Sequence, residues 1–354
     1  MNTLLMSLVL ASFTTFVSIY LLRPFAVSID LLDRPNNRKA HKGAIPLIGG
    51  FAMYVAVVIS ILSSSYDLNQ YNYYLLTSLF IVVLGVMDDY KNISVMLRLF
   101  FQILVAILIA SAGSISIESL GNLFGADEII LSEWSYFVTV FAIIVGINAV
   151  NMSDGIHGLA GGNSLITFLA IAFLVIRHMF NTDSVFIEDI FIVLLFCSVL
   201  PVFLIHNLCL GMSERKRIFM GDAGSMLIGL TIAWTLIDQT QGEDRAFAPV
   251  TALWLFALPL FEMLTAILRR LTSGISPFKP DLYHIHHLLL RLGIGEKYTL
   301  ILMLIFSLLT AVIGVLGELF NAYEWAMFVG FILVFVIYNI TYRLALKSIQ
   351  ENSK

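Results

Sequence analysis

Eleven apolar stretches divide this chain, at roughly 1–21, 44–63, 71–87, 98–114, 135–151, 159–177, 189–206, 222–238, 247–268, 299–317 and 325–342. Each approaches the roughly 20 residues that a helix needs to cross bilayer hydrocarbon, where every backbone polar group must be satisfied within the segment. A soluble domain is typically about 25% charged. This chain of 354 residues is 12% charged and 59% hydrophobic. The expected fold is an all-α polytopic integral membrane protein of about eleven transmembrane helices, forming a single domain over residues 1–354. No Lys or Arg precedes Arg23, so the first stretch lacks the basic start of a cleaved signal and is expected to be a retained span. Cys197 and Cys209 fall in or beside one stretch and read as buried small apolar residues without a disulfide.

Charge orients the helices. Of the 20 Lys and Arg residues, 18 fall in alternate connecting segments, and the other segments hold only Arg177 and Arg245. The positive-inside rule then places the amino terminus outside and the carboxyl terminus in the cytoplasm. The formal net charge of −4 averages a basic inner face with an acidic outer one. The basic face suits anionic membrane lipids and phosphorylated substrates, and no nucleic-acid partner is expected. On the outer side, the alternation from Ser114 to Ile117 with Gly121 and Gly125 predicts a small hairpin within 115–134. A short helix is predicted from Leu282 to Leu292.

Polar groups at bilayer depth are expensive, and here they recur at the cytoplasmic ends of the apolar stretches. Asp88 and Asp89 end the third stretch, where adjacent carboxylates repel and the helix dipole disfavours anions. Asn148, Asn151 and Asp154 are spaced along one helical face and run into Gly155, Gly158, Gly161 and Gly162. The Asn pair alone would also serve as hydrogen-bonding glue between helices. Asp222, between Gly221 and Gly224, opens the eighth stretch, either as an N-cap or as a ligand for a hard cation with its phosphate. His284 and His287 would share one face of the short helix, with His286 between them. Arg269, Arg270, Lys279 and Arg291 lie nearby, a set better suited to phosphate oxygens than to zinc. Arg38, Lys39, His41 and Lys42 form a basic loop that either anchors to anionic lipid or helps bind a phosphorylated substrate. Hard-cation ligands, cationic donors and a lateral approach through the membrane together suit phosphoryl transfer. A transporter with acids spread through the membrane depth is the rival class. The acids cluster at one face, and no internal repeat is present.

The ordered motifs Asp88–Asp89, Asn148-x-x-Asn151-x-x-Asp154-Gly155-x-x-Gly158, Gly221-Asp222-x-Gly224-Ser225 and His284-x-His286-His287 resemble those of the polyprenyl-phosphate N-acetylhexosamine-1-phosphate transferases. Residues 250–254, 276–278 and 324–330 are more similar to the branch that starts O-antigen and enterobacterial common antigen assembly than to the peptidoglycan branch. The resemblance implies transfer of GlcNAc-1-phosphate from UDP-GlcNAc to undecaprenyl phosphate, releasing UMP, with Mg²⁺ or Mn²⁺. It implies an enzyme of the bacterial inner membrane, with a periplasmic amino terminus, an active site on the cytoplasmic face and possible homodimerisation. Asp222 would be the principal metal ligand, with Asp154 also at the metal. Asp88, Asp89 and Asp154 would be catalytic. Lys42, Asn148, Asn151, His157, Arg269, His284, His286 and His287 would bind substrate. The chain departs from the family pattern at three places. His157 stands for the second acid of an Asp-Gly-x-Asp-Gly pattern, Glu262 for a usual acid in the ninth stretch, and Met96 for a common basic position. A second hexosamine donor, or an impaired homologue, would keep the same motifs.

Overall fold

In a computed structural model the chain is described throughout except at Met1, 35–42, Asp67, 113–114, 183–186, Pro280, Leu282 and 353–354. The order begins with α1 (Asn2–Ser28), the short antiparallel pair β1 (Leu32–Asp33) and β2 (Ile45–Pro46), then α2 (Gly49–Leu62), α3 (Leu68–Lys91) and α4 (Val95–Ala112). It continues with α5 (Ser135–Ser153), α6 (Leu159–Thr182), α7 (Ile187–Asn207) and α8 (Gly221–Asp238). The last elements are α9 (Pro249–Leu255), α10 (Ala257–Thr272), α11 (Ile285–Arg291), α12 (Glu296–Leu319) and α13 (Glu324–Asn352). Among the described residues, each of the eleven apolar stretches contains a helix. Among the described residues, seven helices are long and apolar enough to cross a membrane by length and composition, and the bent α9–α10 pair, if one span, makes an eighth. The helices α2 and α4 are shorter.

α8 occupies the centre. Its residues from Ala223 to Ile237 are all buried, as expected of a helix that is apolar all round. It packs against α5, α3 and α2. Without a hydrophobic drive between helices in lipid, close packing relies on small residues. A Cβ on Gly50 of α2 would stand 2.1 Å from the Gly224 backbone nitrogen, and one on Gly85 of α3 would stand 2.3 Å from the Ala223 Cα. The start of α8 is also fixed by backbone pairing. Phe219 N–H donates to Pro46 O at 2.9 Å, while Gly49 and Gly50 N–H donate to Phe219 O and Met220 O at the same distance.

The stretch at 247–268 is not a straight helix. It breaks at Phe256 with an 81° bend between α9 and α10. Pro259 has no N–H to donate and its ring crowds the carbonyl four residues back, which is that of Leu255. That carbonyl instead accepts the Thr167 hydroxyl at 2.9 Å. The hairpin expected within 115–134 forms, with an antiparallel bridge between Ser119 and Ile130. The predicted helix near Leu282 starts later, at Ile285, with His284 extended at its N-cap (ψ 154°). His284 and His287 therefore do not share a helical face, because the ring of His284 is drawn toward α10.

Candidate active site

Four helix ends meet below the core. The last turn of α3 brings Asp88 and Asp89, the first turn of α4 brings Arg98, the last turn of α5 brings Asn151, and the first turn of α8 brings Asp222 and Ser225. Arg98 Nη1 donates to Asp88 Oδ2 at 2.6 Å and lies 3.9 Å from Asp222 Oδ2. Asn151 Nδ2 donates to Asp222 Oδ1 at 2.7 Å and to Ser225 Oγ at 2.9 Å. The Asp222 side chain is 35% exposed against 6% for Asp88, so Asp222 is the acid that opens toward a ligand.

Asp89 is used differently. Its Oδ1 accepts the Asp222 N–H at 2.8 Å and its Oδ2 the Ala223 N–H at 3.3 Å. These are unpaired donors at the start of α8, where the dipole favours an anion. Gly221 takes φ +72°, turning the chain into α8 beside Asp89. The acidic pair thus divides its work, with Asp88 on the arginine and Asp89 on the helix end.

One turn deeper, Asn148 Nδ2 donates to Gln102 Oε1 and to Ile144 O, both at 2.8 Å. Here the glue role of the Asn pair is realised, with Gln102 as the partner from α4. Asp154 caps the end of α5 and is exposed. Asn207 fixes the following turn by accepting from Gly158 N–H at 2.7 Å and donating to Ile218 O at 2.9 Å.

The histidine motif approaches this turn from the other side. A Cβ on Gly155 would lie 2.0 Å from His286 Nε2, so Gly155 is the space that admits that ring. His284 Nδ1 lies 3.0 Å and His286 Nδ1 3.5 Å from Oε2 of the buried Glu262, whose Oε1 accepts the Tyr338 hydroxyl at 2.9 Å. Glu262 therefore serves as an anchor for two histidines. Arg270 bonds Asp281 at 2.7 Å and Pro277 O at 2.6 Å. Arg269 also bonds Asp281 and stacks 5.0 Å from the Tyr283 ring centroid, which leaves its guanidinium engaged within its own loop. Lys42 lies outside the described residues.

Burial, then His286 and His284, push the His287 imidazole down to about 4, so it is neutral at pH 7. Burial raises the Asp281 carboxyl, but Arg270, the Tyr283 N–H and Arg269 outweigh it and hold the group below its ordinary value. Between pH 6.5 and 4 the unfolded chain binds a proton at residue 287 that the folded chain does not, so stability falls as pH falls across that window. Asp281 acts in the same direction at lower pH. Melting of the detergent-purified protein is expected to shift down between pH 7 and 4.5, and less so in His287→Gln. Equal shifts would remove His287 from this account.

Among the described residues no three His, Cys, Asp or Glu side chains form a protein-only metal cage. A Mg²⁺ site needs less, since one or two carboxylates with waters and substrate phosphates suffice. Asp222 and Asp88 beside Asn151 and Ser225 are an oxygen-rich set that fits such a cation and gives zinc no soft ligand.

Acids and amides thus gather at converging ends of apolar helices and face a histidine loop. The glycosyl transferase family 4 pattern matches residues 71–240, which contain both acid clusters and the Asn series. The chain is 38% identical over 350 residues to the undecaprenyl-phosphate alpha-N-acetylglucosaminyl 1-phosphate transferase of Escherichia coli K12, covering 98% of this chain and 94% of that one. It is 40% identical over 333 residues to the protein of the same name from Haemophilus influenzae, covering 93% and 92%. The Yersinia pestis protein of that name is 38% identical over 341 residues, covering 96% and 92%. The chain belongs to this family of polyprenyl-phosphate N-acetylhexosamine-1-phosphate transferases, and it is a multi-pass membrane enzyme.

Sequence reasoning missed Arg98, Gln102, Asn207, Glu296 and Tyr338. Arg98 carried a signal, as the lone cation of the apolar helix that follows the two acids. Met96, the residue expected at the family's basic position, is exposed, whereas Arg98 is the residue that meets the acids.

Proposed function

We propose that this chain transfers GlcNAc-1-phosphate from UDP-GlcNAc to undecaprenyl phosphate, giving undecaprenyl-diphosphate-GlcNAc and UMP. The reaction would begin O-antigen or enterobacterial common antigen assembly at the cytoplasmic face of a bacterial inner membrane, with eleven spans and a periplasmic amino terminus. The observation that carries the reading is Arg98 set between Asp88 and Asp222 at the ends of α3, α4 and α8. The relatives' names supply the donor sugar and the lipid.

An acceptor phosphate oxygen forms a bond to the β-phosphorus as the bond from that phosphorus to the bridging oxygen breaks, and the oxygen leaves with UMP. A phosphate monoester has its second pKa near ~6, so the acceptor is largely dianionic at neutral pH and needs little help from a base. Charge neutralisation is the harder task. Asp222, with Asp88 across Arg98, would hold Mg²⁺ or Mn²⁺, which supplies that neutralisation at the donor diphosphate. Asp154 would add a further ligand or line the nucleotide site. Arg98 keeps two acids close without repulsion, and Asn151 aims Asp222. Asp89 fixes the start of α8, and Glu262 orients His284 and His286 toward diphosphate oxygens.

Purified protein is expected to release UMP from UDP-GlcNAc only when undecaprenyl phosphate and Mg²⁺ are both present. Lipid-independent release, or substrate movement without UMP, would refute the transferase reading. Competition among UDP-sugars for the donor site tests the choice of hexosamine. Arg98→Lys is expected to lower turnover about tenfold, because a lysine keeps the charge but not the planar guanidinium whose Nη1 meets both acids. Unchanged turnover in that variant would show that the bridge is dispensable.

A further inference from the structure

At position 157, where the family pattern has an acid, this chain has an imidazole that is not alone. Glu296, the first residue of α12, contacts it twice: Oε1 accepts the His157 backbone N–H at 3.3 Å and also meets ring Nδ1. The side chain at the start of α12 suits an anion, since Gly295 at the N-cap provides no side-chain bond there. On the other edge, His157 Nε2 lies 3.5 Å from Arg217 Nη1, and the ring packs 5.1 Å from that of Phe219. A carboxylate at Nδ1 selects the tautomer protonated there, leaving the Nε2 lone pair toward the guanidinium. Arg217 Nε is buried and has no hydrogen bond among the described residues, and the nearest acid to this side chain is Glu214 at 3.8 Å. Backbone pairing with β2 and α2 fixes the segment from Phe219 to Met220, which starts two residues beyond Arg217 and ends two before Asp222.

We infer that Glu296 is a positioning residue of the transfer site: through His157 it sets Arg217 toward the phosphorylated donor, replacing from α12 the carboxylate that residue 157 itself carries in the family pattern. The inference rests on the transferase reading above. On this inference the enzyme is not impaired by His157, since α12 supplies beside residue 157 the carboxylate that the imidazole lacks. A purely structural clasp between α12 and the turn after α5 would stabilise the fold and leave substrate kinetics alone.

The test is a charge-exchange cycle on detergent-purified full-length protein, reading UMP release and, separately, UDP-GlcNAc binding without acceptor. E296Q is expected to raise the donor KM and Kd about tenfold, the worth of one charge-assisted hydrogen bond, with kcat nearly unchanged. H157D alone sets two carboxylates against each other and is expected to lose at least as much. H157D/E296Q, with one acid again, is expected to recover to near wild type. E296Q with wild-type KM and Kd, or a double variant no better than H157D, would overturn the inference. If E296Q loses its monodisperse elution peak, the exchange H157E/E296H carries the test, and it must bind donor better than H157E. Wild-type protein that neither binds donor nor makes UMP would refute the transferase reading as well. Wild-type turnover with an inert cycle refutes the role of Glu296 alone.

Discussion

Asp222→Ala is expected to lower lipid-dependent UMP release by about three orders of magnitude, the scale seen when one preorganised electrostatic group is removed from an active site. The fold should survive. The backbone N–H of residue 222 still meets Asp89, Asn151 keeps Ser225 Oγ as acceptor, and the side chain is more open than that of Asp88. What disappears is the second carboxylate beside Arg98 and the open oxygen that faces a ligand. Asp89→Asn supplies the contrast, because an amide places a donor against a backbone N–H at the start of α8. That variant should lose stability by about 1–3 kcal/mol, the cost of a buried group left without its partner. The two are separated by measuring UMP release over a Mg²⁺ titration beside the melting temperature. Asp222→Ala with wild-type activity at every metal concentration would end the assignment of that residue to the metal.

The acids and the Asn series were legible in sequence because each lies at the end of an apolar stretch, where burying a polar group is costly, and the histidines because three fall within four residues of a basic loop. The helices were legible from the apolar stretches themselves. Their partnerships were harder to read. Whether Asn148 faced a ligand or Gln102 depended on which turn of α4 packs beside it, and periodicity within α5 contains no information about α4. The break at Phe256 had a local cause in Pro259, yet the mean hydropathy of the stretch ran through it. Glu296 and Tyr338 had no sequence signal at all. A glutamate opening a helix reads as an ordinary response to the helix dipole, and a tyrosine in an apolar helix as an ordinary membrane residue. Their meaning comes from His157 and Glu262, respectively 139 and 76 residues away along the chain.

Gly50→Ala is expected to be far more damaging than its single methyl suggests. The new Cβ would stand 2.1 Å from the Gly224 nitrogen and 2.2 Å from its Cα, both backbone atoms of the central helix. Ordinary contact requires these helices to part by about 1 Å or more, and a close-packed interior resists such a shift. α8 cannot yield freely, because Gly85 closes on Ala223 from α3 and Gly146 on Gly229 and Ala233 from α5. The displacement would fall at Asp222, two residues before Gly224, and a shift of about 1 Å at a reacting centre costs on the order of 100-fold in rate. Gly162→Ala is the matched control. Its nearest neighbour would be Leu304 Cδ2 at 3.0 Å, the end of a flexible side chain that can turn aside. Yield of monodisperse protein and UMP release should both fall in Gly50→Ala and remain near wild type in Gly162→Ala. Equal behaviour of the two would mean that the α2–α8 contact does not position the acid. Asp222 would then owe its place to the Phe219–Gly49 backbone pairing, to Asp89 and to Asn151.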